Sequence, residues 1–230
     1  MQKINYNHNQ NIHNQGTPEL LLPVIFDGLS VSSILDVGAG TGVWINAARQ
    51  IQIIDCVGID GIVLTGHDLK CERGLISEIN LANSFDLGRT FDVAICLEVA
   101  EHLPATSALG LIESIVKHTD LVFFSAAIPG QSGQHHINCQ WPKYWQNLFN
   151  ECGFECVDDI RSRIWTMDVD PWYKQNIFRA FKSENAGSES RIRSLVHPEM
   201  LKHIRILNEG KKSFFQKVVN KLERISGVQN

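Results

Sequence analysis

The sequence predicts an α/β fold, with an open, doubly wound and mostly parallel sheet covered by helices on both faces. Short apolar runs rich in Val, Ile, Leu and Phe recur along the chain, as expected of strands that are buried on both faces. Helical patterns alternate with these runs, which favours parallel strands joined by crossover helices. A glycine-rich turn links the first strand to the next helix, a usual place for ligand binding in such folds.

The predicted elements follow one another regularly. Thr17 and Pro18 are typical of a helix N-cap and first turn, and they open an N-terminal helix that ends at Gly28. Strands are predicted at Ser33–Val37, Ile53–Asp60, Phe91–Leu97, Leu121–Ala127, Phe154–Ile160 and Asn176–Phe181. Helices are predicted at Val43–Gln50, Thr106–His118 and Lys143–Cys152. We expect the last strand to be antiparallel, at or near the edge of the sheet.

The chain divides into an arm, a domain and a tail. Residues 1–16 hold ten Asn, Gln or His and too little apolar surface to fold alone, so we expect a flexible arm. Residues 17–182 form the predicted domain. Residues 183–230 comprise a linker and a basic tail, in which Lys211–Ile225 has the apolar spacing of an amphipathic helix. That helix could dock on its own domain or a dimer partner, or it could contact a membrane or RNA.

Composition excludes several classes of protein. With 230 residues, 43% hydrophobic and 20% charged, the chain suits one globular domain and not a disordered protein. Its longest apolar run, Leu20–Phe26, is interrupted by Pro23 and is too short for a membrane span. A net charge of -4 disfavours a general polyanion binder. The six cysteines form no C-x-x-C pair, so we expect reduced thiols in a cytoplasmic protein. The alternative is that Cys152 and Cys156 form a disulfide or half of a metal site.

The glycine-rich turn is the first candidate binding feature. Its sequence, Asp-Val-Gly-Ala-Gly-Thr-Gly, runs from Asp36 to Gly42 between a strand and a helix. Glycines allow the backbone to approach a ligand, and the helix N-terminus favours a negative group, although an ordinary tight turn has the same composition. Asp60 ends the next strand, 22 residues after Gly38, where an acidic side chain can accept both hydroxyls of a ribose.

The spacing of this turn departs from the dinucleotide pattern G-x-G-x-x-G, because the third glycine comes one residue early. The turn resembles motif I of class I S-adenosylmethionine-dependent methyltransferases. Asp86–Pro104 resembles the strand-four motif of that superfamily, and Ser125–Trp141 is similar to the loop after strand five in one bacterial subgroup of small-molecule and sugar methyltransferases. The resemblance extends over about Thr17–Phe181.

The resemblance implies a set of contacts with S-adenosylmethionine. The residues concerned are Asp36 at the amino group, Gly38, Gly40 and Gly42 at the methionine end, Asp60 at the ribose, and Asn80, Leu81 and Leu97 around the rest of the cofactor. The family usually has an Asp-Leu pair near the adenine, where this chain has Asn80-Leu81 or, in another alignment, Asp68-Leu69. The Asn80 amide oxygen would then accept from the adenine amino group.

A possible metal site follows the fourth strand. Glu98, Glu101 and His102 are spaced i, i+3 and i+4, so a helical turn there would place them on one face. With His136 or His135 they would offer oxygen and nitrogen ligands to Mn²⁺, Fe²⁺, Zn²⁺ or, less naturally, Mg²⁺. The arrangement resembles the metal site of small-RNA 3′-terminal 2′-O-methyltransferases. The alternative is that the carboxylates favour a helix start and the imidazole is packed or exposed.

The chemistry predicted from these residues is attack of a nucleophile on the cofactor methyl. A metal would bind a substrate hydroxyl and lower its pKa. Without a metal, His102 or His136 would be the general base, and Glu98 is the third predicted catalytic residue. Several aromatic residues could form walls for an acceptor or belong to the core, with Gln175 and Asn176 as polar contacts. These aromatic residues are Trp141, Trp145, Trp165, Trp172 and Tyr173.

We therefore expect a cytoplasmic S-adenosylmethionine-dependent methyltransferase that acts on a hydroxyl of a sugar, glycan precursor or other small metabolite, with or without a divalent metal. One alternative is a metal-dependent 2′-O-methyltransferase of RNA 3′ ends, which the acidic body opposes. The other is a non-catalytic, cofactor-binding regulatory module. The protein could act as a monomer or a dimer.

Overall fold

The structure is a computed structural model, and it describes residues 6, 7, 16–62, 64 and 66–201. The strands are β1 (Ser33–Val37), β2 (Asp55–Asp60), β3 (Ile76–Glu78), β4 (Val93–Leu97), β5 (Leu121–Ser125), β6 (Phe154–Val157) and β7 (Phe178–Lys182). The helices are α1 (Gly16–Ile25), α2 (Val43–Gln50), α3 (Ala108–Val116), α4 (Pro142–Glu151), α5 (Ile160–Ile164) and α6 (Pro171–Asn176). Short 3₁₀ turns lie at Arg73–Leu75, Ala100–His102 and Ala105–Ser107.

The strands form one sheet in the order β3-β2-β1-β4-β5-β7-β6. Strands β1 to β5 pair in parallel, whereas β7 is antiparallel to both of its neighbours, β5 and β6. The chain winds outward in one direction from β1 and in the other from β4, so these two adjacent strands mark the point where the order reverses. In open α/β sheets ligands bind beyond the carboxyl ends of the strands at such a point. The predicted α/β fold is confirmed.

Both faces of the sheet are buried, which explains the uninterrupted apolar runs of the central strands. Side chains alternate between the faces: Ile95 and Phe123 pack with α1 and α2, while Cys96 and Phe124 pack with α3 and α4. Trp145 of α4 is 1% exposed and belongs to this second core, so it is a packing residue and not an acceptor contact. All six cysteines are free.

Most elements agree with the sequence prediction, and β1 and α2 have the predicted bounds. Three short elements were not predicted, namely β3, α5 and α6, because each has three to six residues and no extended apolar pattern. The antiparallel β7 was expected at or near the edge, and it is the second strand from the edge, with β6 outside it.

The segment that follows β7 does not behave as the predicted linker. The Glu189 carboxylate accepts hydrogen bonds from Gln146 and Asn150 of α4, at 2.8 and 2.7 Å, and Ile192 is buried in the core. The domain therefore continues beyond residue 182, because these contacts attach the segment to α4 and to the core. The predicted amphipathic helix 211–225 lies outside the described residues. No helix in the described part of the chain combines the length and apolar character of a membrane span.

Candidate functional site

A cleft of about 440 Å³ opens at the carboxyl ends of β1, β2 and β4, where the strand order reverses. Its volume falls in the range of small-molecule sites, roughly 300–1,000 Å³. Asp36 and Asp60 line it from β1 and β2, Leu97 from β4, and Gln131 from the loop after β5. The fold thus brings together residues from four distant parts of the sequence.

Two of the three glycines in the turn line this cleft. Gly38 has a φ of +81°, and a Cβ added there would lie 2.3 Å from a methyl group of Val99, so no larger residue fits. The Gly40 N–H donates to Asp60 Oδ2 at 2.8 Å. Gly42 does not line the cleft, because it begins α2 with a φ of +82°, and a Cβ there would lie 2.3 Å from Cys71 Sγ. Its expected place at the methionine end is therefore not supported, and close packing explains this glycine.

The two aspartates at the ends of β1 and β2 differ in their partners. Asp60 accepts hydrogen bonds from the N–H groups of Gly40 and Ile62, both at 2.8 Å. Asp36 is 3% exposed, and its Oδ2 has no hydrogen-bond partner among the described residues. Burial, and secondarily the charge of Asp60, raise the pKa of Asp36 to about 8. A buried acid with an unpaired oxygen is suited to receive a cationic group of a ligand.

The remaining cofactor residues have different positions. Leu81 and Leu97 are buried and line the cleft. Asn80 is exposed, and its Oδ1 accepts from the Ala82 N–H at 3.0 Å instead of facing the cleft. The local turn therefore uses one lone pair of the Asn80 oxygen, and the expected contact between Asn80 and adenine stays a prediction.

Glu98 is located at the end of β4, outside the helical turn in which the sequence placed it. Its φ is +56°, and the following 3₁₀ turn begins at Ala100. The Glu98 carboxylate accepts from Gln131 Nε2 at 2.7 Å and from Asn176 Nδ2 at 2.9 Å. Asn176 was predicted to contact an acceptor, but its amide holds Glu98. No sequence pattern pointed to Gln131, which lies 33 residues away from Glu98.

Glu101, His102 and His136 come together at the floor of the cleft. One ligand atom from each lies within 4.8 Å of the others, and His136 Nε2 is 4.0 Å from Glu101 Oε1. The fully buried Glu101 carboxyl interacts with the Glu98 carboxyl and with the backbone of Ala127, whereas His102 Nδ1 has no hydrogen-bond partner among the described residues. His136 Nδ1 contacts the Gln131 carbonyl at 3.1 Å, which orients the ring and leaves Nε2 directed at Glu101.

Burial dominates the electrostatics of this group. It raises the pKa of Glu101 well above the usual range, and the nearby Glu98 charge raises it further. It lowers the pKa of His102 to about 4, with His136 adding to the effect, and it also lowers the pKa of His136. Both rings are therefore neutral at pH 7, the form that binds metals and accepts protons. His135, the alternative to His136, has a φ of +51° and does not line the cleft.

Aromatic side chains flank the group on both sides. Trp44 and Tyr173 meet edge to face with ring centroids 5.4 Å apart, and Trp172 continues the row at 6.0 Å from Tyr173. On the other side, Tyr6 meets His102 edge to face at 4.8 Å. Trp172 and Tyr173 line the cleft, and their role as an acceptor wall stays a prediction. Tyr6 was not expected there, because the arm around it lacks apolar residues.

The next residue of the chain, Asn7, contacts the loop before His136 as well. The Asn7 N–H donates to Gln134 Oε1 at 3.1 Å, and Gln134 Nε2 donates to the Asn7 carbonyl at 3.2 Å. Part of the predicted flexible arm is therefore fixed at the cleft. Trp165 was also predicted as a wall for an acceptor, but its ring packs on His197, with the ring centroids 4.2 Å apart.

Comparison with known proteins agrees with the fold and the motifs. Solved structures with a similar fold include S-adenosylmethionine-bound CalS10, an amino pentose methyltransferase from Micromonospora echinaspora (14% identity, 76% of this chain and 94% of that one, TM-score 0.54). They also include DesVI from Streptomyces venezuelae (14%, 74% and 94%, 0.52) and the methyltransferase domain of a bacterial protein, CtHen1 (13%, 77% and 100%, 0.52).

Sequence comparison supplies the assignment to a family. No curated protein matches the chain. The sequence model of the methyltransferase domain family, however, matches residues 11–159, which include the glycine turn and the Glu98–His102 segment. The chain therefore belongs to the methyltransferase domain family, within the class I S-adenosylmethionine-dependent superfamily.

Proposed function

We propose that this protein transfers a methyl group from S-adenosylmethionine to a hydroxyl of a small molecule, such as a sugar or glycan precursor, with help from a divalent metal. The observation that carries the proposal is the convergence of the fully buried Glu101 carboxyl with two neutral imidazoles, with one ligand atom of each within 4.8 Å of the others. A buried acid is costly in its ionised form unless a cation or a hydrogen-bond donor compensates its charge.

The cleft fits the cofactor. The unpaired oxygen of Asp36 suits the ammonium of the methionine portion, and the absence of a side chain at Gly38 permits close approach. Asp60 lines the cleft from the end of β2, where an acidic side chain can accept from ribose hydroxyls. Leu81 and Leu97 offer apolar contacts to the base. The carboxyl end of β1 is where ligands bind in folds of this topology.

The site also fits a divalent metal, which Glu101, His102 and His136 would hold. One carboxylate and two imidazoles suit Mn²⁺, Fe²⁺ or Zn²⁺ better than Mg²⁺. Glu98 was expected to be a fourth ligand, but its carboxylate is engaged by Gln131 and Asn176, so we assign it a supporting place beside the site. The ion would supply Lewis acidity, which lowers the pKa of a hydroxyl that binds to it.

The side chains define the rest of the reaction. The acceptor oxygen attacks the methyl carbon of the sulfonium, a C–O bond forms, the C–S bond breaks, and S-adenosylhomocysteine leaves. With the metal bound, the imidazoles of His102 and His136 are ligands, so the hydroxyl proton passes to solvent water. Without the metal, His136 Nε2 is the base, because the Gln131 carbonyl already fixes Nδ1. The enzyme contributes mainly orientation, since the leaving group is supplied by the cofactor.

Metal binding and turnover test the proposal. Titration of metal-free protein with Mn²⁺ or Zn²⁺ should show one site, which His136→Ala weakens at least about tenfold, as loss of a metal partner does. His135→Ala is the matched control and should bind as the wild type does. A site that survives His136→Ala, or that both variants weaken equally, would contradict the assignment.

A methyl-transfer assay on variants of the site distinguishes an enzyme from a cofactor-binding regulatory module. Glu101→Ala and His102→Ala should each abolish transfer of a labelled methyl group to a panel of hydroxyl compounds while the protein still binds S-adenosylhomocysteine. Wild-type protein that binds the cofactor but labels nothing in the panel, with and without metal, would favour the regulatory module.

A second candidate is 2′-O-methylation of RNA 3′ ends, which the E-x-x-E-H arrangement of Glu98–His102 favours. RNA binding that weakens steeply with salt would support it. No binding to a single-stranded RNA with a 3′-terminal 2′-hydroxyl at low salt would exclude it.

A further inference from the structure

We propose that the acceptor is an uncharged or cationic molecule with an apolar ring face, and that phosphates, carboxylates and nucleic acids are excluded from the cleft. This inference rests on the methyl transfer proposed above and adds the chemical class of the acceptor. It depends on two features of the cleft lining, its acidic side chains and its aromatic rings.

The charged side chains that line the cleft are acidic. Among the described residues that line it there are five acidic side chains and neither a lysine nor an arginine. The acids are Asp36, Asp60, Glu98, Glu101 and Asp170. A cleft with walls of low dielectric concentrates the field of those that are ionised. An anionic acceptor would therefore lose its hydration without finding a cationic side chain among these residues.

Binding of cofactor and metal would place positive charge beside the acids nearest to them, Asp36 and Glu101. The ammonium and the ion favour the ionised forms of these acids, so the cofactor's one net positive charge and the ion's two would meet up to five negative charges. Asp170, which precedes α6, also lines the cleft beside Trp172, and its carboxyl accepts a hydrogen bond from the Thr17 hydroxyl.

The aromatic row sets the shape that the acceptor must have. Trp44, Tyr173 and Trp172 meet edge to face in succession, so their rings form a wall with faces turned in different directions. Aromatic faces pack on apolar ring faces, such as those of sugars and aryl groups, and they attract cations. A negative lining combined with aromatic faces thus selects neutral or cationic rings and disfavours anions.

The charge can be measured at Trp172 without knowing the acceptor. Full-length protein is saturated with S-adenosylhomocysteine, and its fluorescence is quenched by Cs⁺, iodide or acrylamide at constant ionic strength, each normalised to free N-acetyltryptophanamide. The difference between wild type and Trp172→Phe isolates this residue. Trp165→Phe is the matched control, because Trp165 packs on His197 and does not line the cleft.

Cs⁺ should quench Trp172 more than iodide does, by about sevenfold for each kT of negative potential. The preference should shrink with Zn²⁺ bound but keep its sign, and the Trp165 difference should show less of it. Equal quenching by the two ions, or stronger quenching by iodide, would overturn the proposal.

A second arm tests the class of acceptor with three probes of similar size: benzylamine, benzyl alcohol and benzoate. The amine and the alcohol should protect Trp172 from acrylamide at concentrations at least about tenfold below benzoate, a difference of about 1.4 kcal/mol. Protection by benzoate at equal or lower concentration would overturn the charge selection, and no protection by any probe would overturn the apolar ring face. Failure of S-adenosylhomocysteine to bind would instead count against the proposed function itself.

Discussion

Cofactor binding should release a proton from Asp36. Burial and the neighbouring Asp60 raise the pKa of this carboxyl to about 8, so the free protein holds it mainly protonated at neutral pH. The ammonium of S-adenosylmethionine favours the carboxylate, because an opposite charge at contact distance stabilises the ionised form. Binding and deprotonation are therefore linked.

The size of the effect follows from that pKa. A group with a pKa of about 8 is about nine-tenths protonated at pH 7 and half protonated at pH 8. If the bound carboxyl is ionised, binding should release about 0.9 proton at pH 7, about 0.5 at pH 8 and almost none above pH 9.5.

Calorimetric titration in buffers of different ionisation enthalpy measures this release as the slope of the apparent binding enthalpy. Asp36→Asn, which keeps the shape and cannot ionise, should abolish the slope and weaken binding. A slope near zero for the wild type at pH 7, or an unchanged slope in Asp36→Asn, would refute the assignment of Asp36 to the cofactor amino group.

The same pKa predicts how the stability of the free protein depends on pH. The folded state holds the Asp36 proton more tightly than the unfolded chain does, so this residue destabilises the fold increasingly as pH rises from about 4 to about 8. Asp36→Asn should lack this contribution and melt above the wild type at pH 8 to 9. Thermal midpoints across pH 5–9 without cofactor test the sign.

Two further predictions concern stability. Gly42→Ala should lower the free energy of unfolding by about 2–4 kcal/mol, because it combines a left-handed φ with a contact of 2.3 Å to Cys71 Sγ. Gly28→Ala, at a φ of +75° with no atom within 4 Å of the added Cβ, should lower it by about 1 kcal/mol. Equal losses, read from thermal midpoints at about 2–4 °C per kcal/mol, would show that packing is unimportant there. Burial raises the pKa of Glu189, but the hydrogen bonds that its carboxylate accepts outweigh burial and lower the pKa to about 2. Glu189→Ala should therefore lower the free energy of unfolding by about 1–2 kcal/mol at pH 7, and by progressively less as pH falls below about 4.5. Exposed Glu184→Ala is the control, and a loss from Glu189→Ala that does not vary with pH would contradict the linkage.

The sequence predicted the parts of the fold that depend on local pattern. Strand β1 and helix α2 have the predicted bounds because a continuous apolar run and a glycine turn define them within a few residues. Strand β3 was missed, since Ile76–Glu78 is a three-residue partner of β2 whose pairing depends on tertiary contact. The packing of Glu189 on α4 also depends on contacts across about 40 residues, so the segment around it was predicted to be a linker.

The candidate site was predicted in part, for similar reasons. The sequence identified Glu101, His102 and His136, because two of them follow a buried strand and the third lies in the next loop. It left His135 and His136 as alternatives, which differ in the structure by the left-handed backbone of His135. It placed Glu98 on the helical turn, because residue spacing does not reveal that the backbone at Glu98 is left-handed.

The position of Tyr6 determines how this protein should be prepared for study. Tyr6 lies 4.8 Å from His102, and the five residues that precede it can span at most about 18 Å. Imidazoles of an affinity tag fused before Met1 could therefore reach the Glu101, His102 and His136 group and supply foreign ligands there. Measurements of metal content or affinity on such a preparation would report the tag together with the enzyme. An untagged chain, or one whose tag has been cleaved, is the appropriate material.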